Sequence, residues 1–240
     1  MFARLRVFWV FIAVLLPAAA YGGYRFATWP IFEPKEILVA GNVHVSSAEI
    51  RRRAAIRLDA NVWFLNKHAA EQRVEALPWV RAAQIHRALP AGVRIVVIER
   101  EPVACVVSNG ATYLVDAEAH VIESSCPAGE MLRVAFPPLG LQHPGAVLDA
   151  ALLQRMLADA ATLRGAQLEP ATVGLDRFRG LEARLRDGVL VRFGDDADLG
   201  RKVALVRPIL AAYAARHRGV AIVDVRAPFT PVVELQRPKK

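Results

Sequence analysis

No charged residue stands between Val7 and Tyr24 in "MFARLRVFWVFIAVLLPAAAYGGYR", while Arg4 and Arg6 precede the run and Arg25 follows it. A helix over residues 7–24 rises about 27 Å, enough for a hydrocarbon core near 30 Å. Pro17 lies inside the run, where a membrane helix tolerates it. Basic residues crowd ahead of the run and thin out after it, so the positive-inside rule puts a short tail, 1–6, in the cytoplasm and the rest of the chain outside. The same residues fit a cleaved signal peptide, with Val7–Leu16 as its apolar region and Ala18-Ala19-Ala20 as a small-residue cleavage site. The residues alone leave both readings open.

With 240 residues, 54% apolar and 22% charged, the rest of the chain can bury one large core or two small ones. The net charge of +8 invites a nucleic-acid reading. Its distribution argues against one: four basic residues face one acidic in 1–35, ten face seven in 36–101, and seventeen face fifteen in 102–240. A phosphate-tracking surface needs a concentrated patch. Arg51-Arg52-Arg53, the one basic run of three, reads as a solvated helix face.

A search for chemistry finds little. No phosphate-binding glycine loop, HExxH or GxSxG is present. His44, His68, His86, His120, His143 and His217 are dispersed and read as surface or loop residues. "GDDADLG" offers Asp195, Asp196 and Asp198 to a cation but lacks the EF-hand spacing and its distal Glu, so it reads as a turn ending in a helix cap. Cys105 and Cys126 have no metal-ligand spacing; in an oxidising compartment they are a candidate disulfide pair. The expectation is a protein that is no enzyme and holds no cofactor or metal.

Residues 36–101 read as a small β-α-α-β-β domain. "EILVAGN" is a strand stopped by Gly41-Asn42. Ser46 and Glu49 fit a capping box opening a helix over about 47–56. Asn66 caps a second helix, with Ala70, Val74 and Leu77 on one face and Pro78 as its stop. Strands over about 81–88 and 92–100 follow, joined by the turn "LPAG", and Val93, Ile95 and Val97 share a face of the second. Trp79 reads as a core or hinge plug.

"VAGNVHVSS", "NVWFLN" and "EALPWVRAAQIHRALPAGVRIVVIEREPVA", behind a single apolar span, resemble the POTRA domain and flanking regions of the bacterial FtsQ/DivIB cell-division family. The order β-α-α-β-β matches that family's fold. This context favours an uncleaved anchor over a signal peptide.

Residues 102–236 read as a second domain, followed by a tail, 237–240. "EPVACVVSNGATYLVDAEAHVI" gives strands around the hairpin pair Asn109-Gly110. "YLVDAEAHVI" is similar to the family's "YLVDxxGxVF", with Ala119 where glycine is usual. Asp149 caps a helix whose Leu152, Leu153, Met156, Leu157, Ala160 and Leu163 form an apolar stripe. Two strands meet at Asp187-Gly188. Asp198 caps a last helix toward His217, with Val203, Val206, Leu210 and Tyr213 inward and a kink expected at Pro208. "GVAIVDVRA" and "TPVVELQ" close the chain as strands, with Asp224 and Arg226 as exposed strand charges.

The fold class expected is therefore α+β: one N-terminal transmembrane helix, a POTRA domain, then a mixed α/β domain with an antiparallel-rich sheet. The resemblance implies a non-catalytic division scaffold at the septum. It would bind FtsB, complexed with FtsL, through the C-terminal domain, and meet other division proteins through the POTRA domain. Matching the family's last strands onto this chain puts partner contacts at Ala227, Phe229, Val233 and Leu235. Ala227, Phe229 and Leu235 depart from the Tyr, Ser and Trp usual there. A POTRA-bearing outer-membrane assembly or secretion factor is the alternative, but residues 102–236, with two helical stripes, make a poor barrel.

Overall fold

The computed structural model describes residues 2–58, 61–129, 131–195 and 197–236, with the side chains of 2–11, 27 and 30 outside that description. The expected tail 237–240 and Asp196 fall outside it. The chain divides into two compact units, 1–100 and 101–240.

In the first unit, helix α1 spans Phe2–Ala27, with Pro17 inside and Arg25 in its last turn. Thr28 closes it, its hydroxyl donating to the Tyr24 carbonyl at 2.9 Å. Among the described residues no helix is both long and apolar enough to cross a membrane. The first part of the Val7–Tyr24 expectation, residues 7–11, lies among side chains outside the description.

Beyond α1 the order is β1 (Glu36–Ala40), α2 (Ser47–Ala54), a 3-10 turn (Val62–Phe64), α3 (Lys67–Glu75), β2 (Val80–Ala88) and β3 (Gly92–Glu99). The sheet runs β1-β3-β2, with β1 parallel and β2 antiparallel to the central β3. Val93, Ile95 and Val97 of β3 are buried with Ile50, Val62 and Val74, as the period-two pattern requires. Gly41, at φ 85°, follows β1 so closely against β3 that a Cβ there would lie 2.1 Å from the Val97 carbonyl oxygen. Ser46 caps α2, its hydroxyl accepting from the Glu49 amide at 3.1 Å. The Glu49 carboxylate turns instead to Arg52, so only half of the expected box forms. The helix stops at Ala54 rather than 56, because Ala55 takes a left-handed conformation. Its last carbonyl accepts from Arg73 of α3 at 2.6 Å. Asn66 caps α3 as expected, at 3.1 Å from the Ala69 amide.

The second unit is built on one nine-stranded sheet, ordered β12-β11-β10-β9-β8-β7-β4-β5-β6. Its elements are β4 (Ala104–Ser108), β5 (Ala111–Val115), β6 (Val121–Glu123), β7 (Arg133–Ala135), α4 (Ala150–Gly165), β8 (Pro170–Leu175), β9 (Leu181–Leu185), β10 (Leu190–Gly194), α5 (Leu199–Ala214), β11 (Val220–Asp224) and β12 (Val232–Leu235). Five of its eight junctions are antiparallel. The parallel ones are β4–β7, β7–β8 and β10–β11. Helices α4 and α5 supply the crossovers β7–α4–β8 and β10–α5–β11. Both step the same way along the sheet, so right-handed connection puts both on one face. Leu153, Met156 and Leu163 of α4 and Val203 and Val206 of α5 accordingly share one core with Val134, Val173, Val191 and Phe193.

Strands β7 and β8 were not expected from the pattern. β7 has only three residues ahead of Pro137-Pro138, and β8 opens on Pro170 and contains Gly174. That glycine permits their close approach, since a Cβ there would lie 2.7 Å from Ala135 Cβ. Asp198 precedes α5 but sits at φ 54° with no side-chain cap bond, which corrects its expected role. The helix ends at Ala214, short of His217, and stays continuous through Pro208. Ala119 is fully buried at φ 65°, the backbone region glycine enters without strain. Cys105 and Cys126 are joined as a disulfide, their Cα atoms 5.9 Å apart.

Candidate docking edge

A sheet edge offers unpaired N–H and C=O groups to any strand that reaches it. The second unit has two such edges, β6 and β12. The outer side of β6 is covered by its own chain: the Val121 amide donates to Ala146 at 2.8 Å, and Gly145 donates back to Val121 at 2.7 Å. Among the described residues nothing covers β12 in this way.

Strand β12 pairs with β11 alone, in antiparallel register Asp224–Val232, Val223–Val233, Ile222–Glu234 and Val220–Leu235. The irregularity between Val220 and Ile222 lies on β11, so β12 itself alternates without a break. Just past its end, the Gln236 amide donates inward to the Gly219 carbonyl at 2.9 Å. Alternation then turns the backbone groups of Glu234 and Val232 inward as well. The N–H and C=O of Val233 and Leu235 point away from the sheet.

The four residues matched to partner contacts lie on this last segment, in different settings. Val233 is half-buried and packs its side chain on the core. Leu235 is 41% exposed. Ala227 and Phe229 lie in the β11–β12 turn, closed by the Thr230 amide on the Ala227 carbonyl at 3.0 Å. Ala227 is exposed, and the Phe229 ring carries the Arg201 guanidinium of α5 at 4.5 Å from its centre.

Strand β11 meets the turn through a forked ion pair. Arg226 Nε lies 3.0 Å from both Asp224 oxygens, and a second guanidinium nitrogen lies 2.6 Å from Oδ2. Burial alone would raise the Asp224 carboxyl; the bonds from Arg226 and the nearby Arg192 charge overcome it and lower the pKa. Asp224 and Arg226, expected as exposed strand charges, are bound as one pair, with Asp224 half-buried and Arg226 exposed. In the candidate cation turn, the buried Lys202 ammonium donates to Asp195 at 2.6 Å and to its carbonyl at 2.9 Å. A lysine thus sits where a cation would have to bind. Among the described residues no cluster of three or more His, Cys, Asp or Glu could hold a metal.

Sequence reasoning missed Arg201, Lys202 and the Asp224–Arg226 fork. The i, i+2 spacing of Asp224 and Arg226 was the fork's available signal; Arg201 and Lys202 carried none, because their partners lie outside their own helix.

A βααββ unit followed by a large sheet, whose β12 edge is uncovered among the described residues, has the organisation of a POTRA-bearing protein. The family model for the POTRA domain, FtsQ-type, matches residues 32–100. Curated proteins named cell division protein FtsQ are similar over most of the chain. The one from Myxococcus fulvus is 28% identical over 187 residues, covering 70% of this chain and 65% of its own length. That from Chloroflexus aurantiacus is 29% identical over 184 residues, covering 75% and 67%. That from Caulobacter vibrioides is 31% identical over 162 residues, covering 67% and 51%. The chain belongs to the FtsQ/DivIB family of cell-division proteins. It spans about half to two thirds of the length of these relatives.

Proposed function

We propose that the protein is a non-catalytic, single-span scaffold of the division machinery, anchored by α1 with residues 1–6 in the cytoplasm and both folded units outside. It links division proteins at the septum. Its β12 edge takes up a strand of FtsB in complex with FtsL, and its POTRA domain meets other division proteins.

The bare edge of β12 carries this reading. Outward N–H and C=O groups at Val233 and Leu235 give a docking strand its backbone bonds, and the exposed Leu235 and the Ala227–Phe229 turn give it side-chain contacts. The uncharged run from Val7 to Tyr24 and the outward apolar side chains of α1 support the anchor.

Copurification of the full chain from crosslinked membranes tests the role. The expected companions are division proteins. Barrel-assembly proteins in their place would favour the envelope-assembly alternative. Verified depletion is expected to give filamentous cells that grow without dividing, and normal cell length would defeat the division role.

A further inference from the structure

Large apolar side chains are left uncovered around the junction of α1 and the small βααββ unit. Leu15, Leu16, Tyr21, Tyr24 and Phe26 of α1 all face outward. The end of this helix is tied to the unit through aromatic edges. The Phe26 and Phe32 rings meet at 5.5 Å and 68°, Phe32 meets Trp63 at 5.9 Å and 76°, and Trp29 lies 6.2 Å from Phe26. Phe32 is buried in the small core. Trp63 belongs to the 3-10 turn Val62–Phe64, which Arg87 of β2 grips by donating to the carbonyls of Val62 at 2.6 Å and Trp63 at 3.1 Å. The turn is thus fixed beside the end of α1.

Trp29, Trp63 and Phe64 are nevertheless 59%, 44% and 64% exposed. Isolated exposed apolar residues are ordinary. These surround the end of an apolar helix, and Trp29 stands five residues past the last residue of the uncharged run. Tryptophan favours the boundary of a bilayer, where its ring is half in hydrocarbon and its N–H is wet.

We propose that the Val62–Phe64 turn rests on the membrane. Trp63 and Phe64 enter the headgroup layer beside the end of α1, together with Trp29, and hold the small unit against the bilayer. This rests on reading α1 as a membrane anchor.

The test uses the full chain in phosphatidylcholine vesicles brominated near the headgroup end of the acyl chains. A Trp9→Phe, Trp29→Phe background keeps Trp63 and Trp79, and a second protein adds Trp63→Phe, which retains a ring for Phe32. The expected result is a fluorescence component quenched by bromolipid, shielded from acrylamide, and lost with Trp63→Phe. Vesicle flotation reads the anchor separately. Equal bromolipid quenching of both proteins, or acrylamide access to Trp63, in protein that floats would overturn the resting surface and leave the anchor standing. Shielding of Trp63 from both quenchers would show a protein covering the turn, and would also overturn it. Failure to float removes the anchor and the proposal together.

Discussion

Glu71 of α3 accepts a hydrogen bond from the backbone amide of Ile85 on β2 at 2.8 Å, and Glu75, one helical turn later, accepts from Ala83 at 3.0 Å. Strand β2 is the outer strand of the small sheet, so these carboxylates close an edge that would otherwise invite another chain. Four helical residues rise about 6 Å and two strand residues about 6.8 Å, which lets an i, i+4 acidic pair match alternate amides. Replacing both with alanine leaves two part-buried amides unpaired. The expected cost is about 1–3 kcal/mol each. Urea unfolding would read the loss, and faster hydrogen exchange at Ala83 and Ile85 would place it. Unchanged exchange at both amides would show that water replaces the carboxylates without cost.

Glu99 offers a test by pH. Its carboxylate collects the consecutive amides of Val43, His44 and Val45 at 2.9–3.1 Å, and the His44 ring nitrogen at 2.9 Å. His44 in turn stacks on Trp79 at 4.0 Å. Burial alone would raise this carboxyl, but the three amides and the His44 ring lower it below its ordinary 4.5. A carboxyl whose folded pKa is depressed stabilises fully above its unfolded value and loses that contribution as pH falls through the folded one. Glu99→Gln is therefore expected to cost about 2 kcal/mol at neutral pH, where the amides lose a charged acceptor. The two proteins should converge in stability as pH drops below about 4. Denaturant titrations across that window check it, and a difference constant with pH would assign the effect to packing.

Much of this was legible in the chain, for physical reasons that can be named. Asn66 and Ser46 were readable as caps because a cap is satisfied within three residues. Val93, Ile95 and Val97 were readable because burial on one sheet face imposes period two. The apolar stripe of α4 was readable for the same reason at helical spacing, with Leu152 and Leu157 on its half-buried margin. What depended on distant partners was not. Glu99 sits in "IEREPVA" with no local sign that its acceptors serve residues 43–45. Strands β7 and β8 are held by their neighbours, β7 parallel to β4 and β8 and β8 also antiparallel to β9, and by close packing at Gly174, rather than by their own pattern. The terminal edge lies between these cases. Its strand was readable, but the outward direction of the Val233 backbone needed the Gln236–Gly219 bond to fix the phase.

The disulfide closes a loop of sequence separation 21 between the buried Cys105 on β4 and Cys126 beyond β6. Loop closure of that size restricts the unfolded chain by about 3 kcal/mol. Replacing both cysteines with serine is expected to lower stability by roughly that amount, with the burden at Cys105 adding to it because a hydroxyl there is buried among apolar neighbours away from water. Thermal unfolding of the oxidised protein with and without reductant, beside the double variant, checks the figure. A reduced protein that melts with the oxidised one would show that the bridge adds nothing.

Val233→Pro separates docking from folding at the β12 edge. Proline removes a backbone donor, and at Val233 that donor faces away from β11, so the ladder inside the unit loses nothing. The half-buried side chain gives up some packing, at a cost of about 1 kcal/mol. Glu234→Pro makes the opposite change. Its donor faces inward, so stability should fall first. Leu235→Glu leaves the backbone intact and puts a charge on an exposed position, where it should disturb only a partner's pocket. If a strand of FtsB docks here, Val233→Pro and Leu235→Glu should both weaken its capture while melting close to wild type. Calorimetry beside capture of FtsB–FtsL by the full chain reads the two quantities separately. A folded Val233→Pro protein that captures its partner at the wild-type level would rule out this edge. The search would then move to the POTRA domain or to α5, where Arg201 already stands over Phe229.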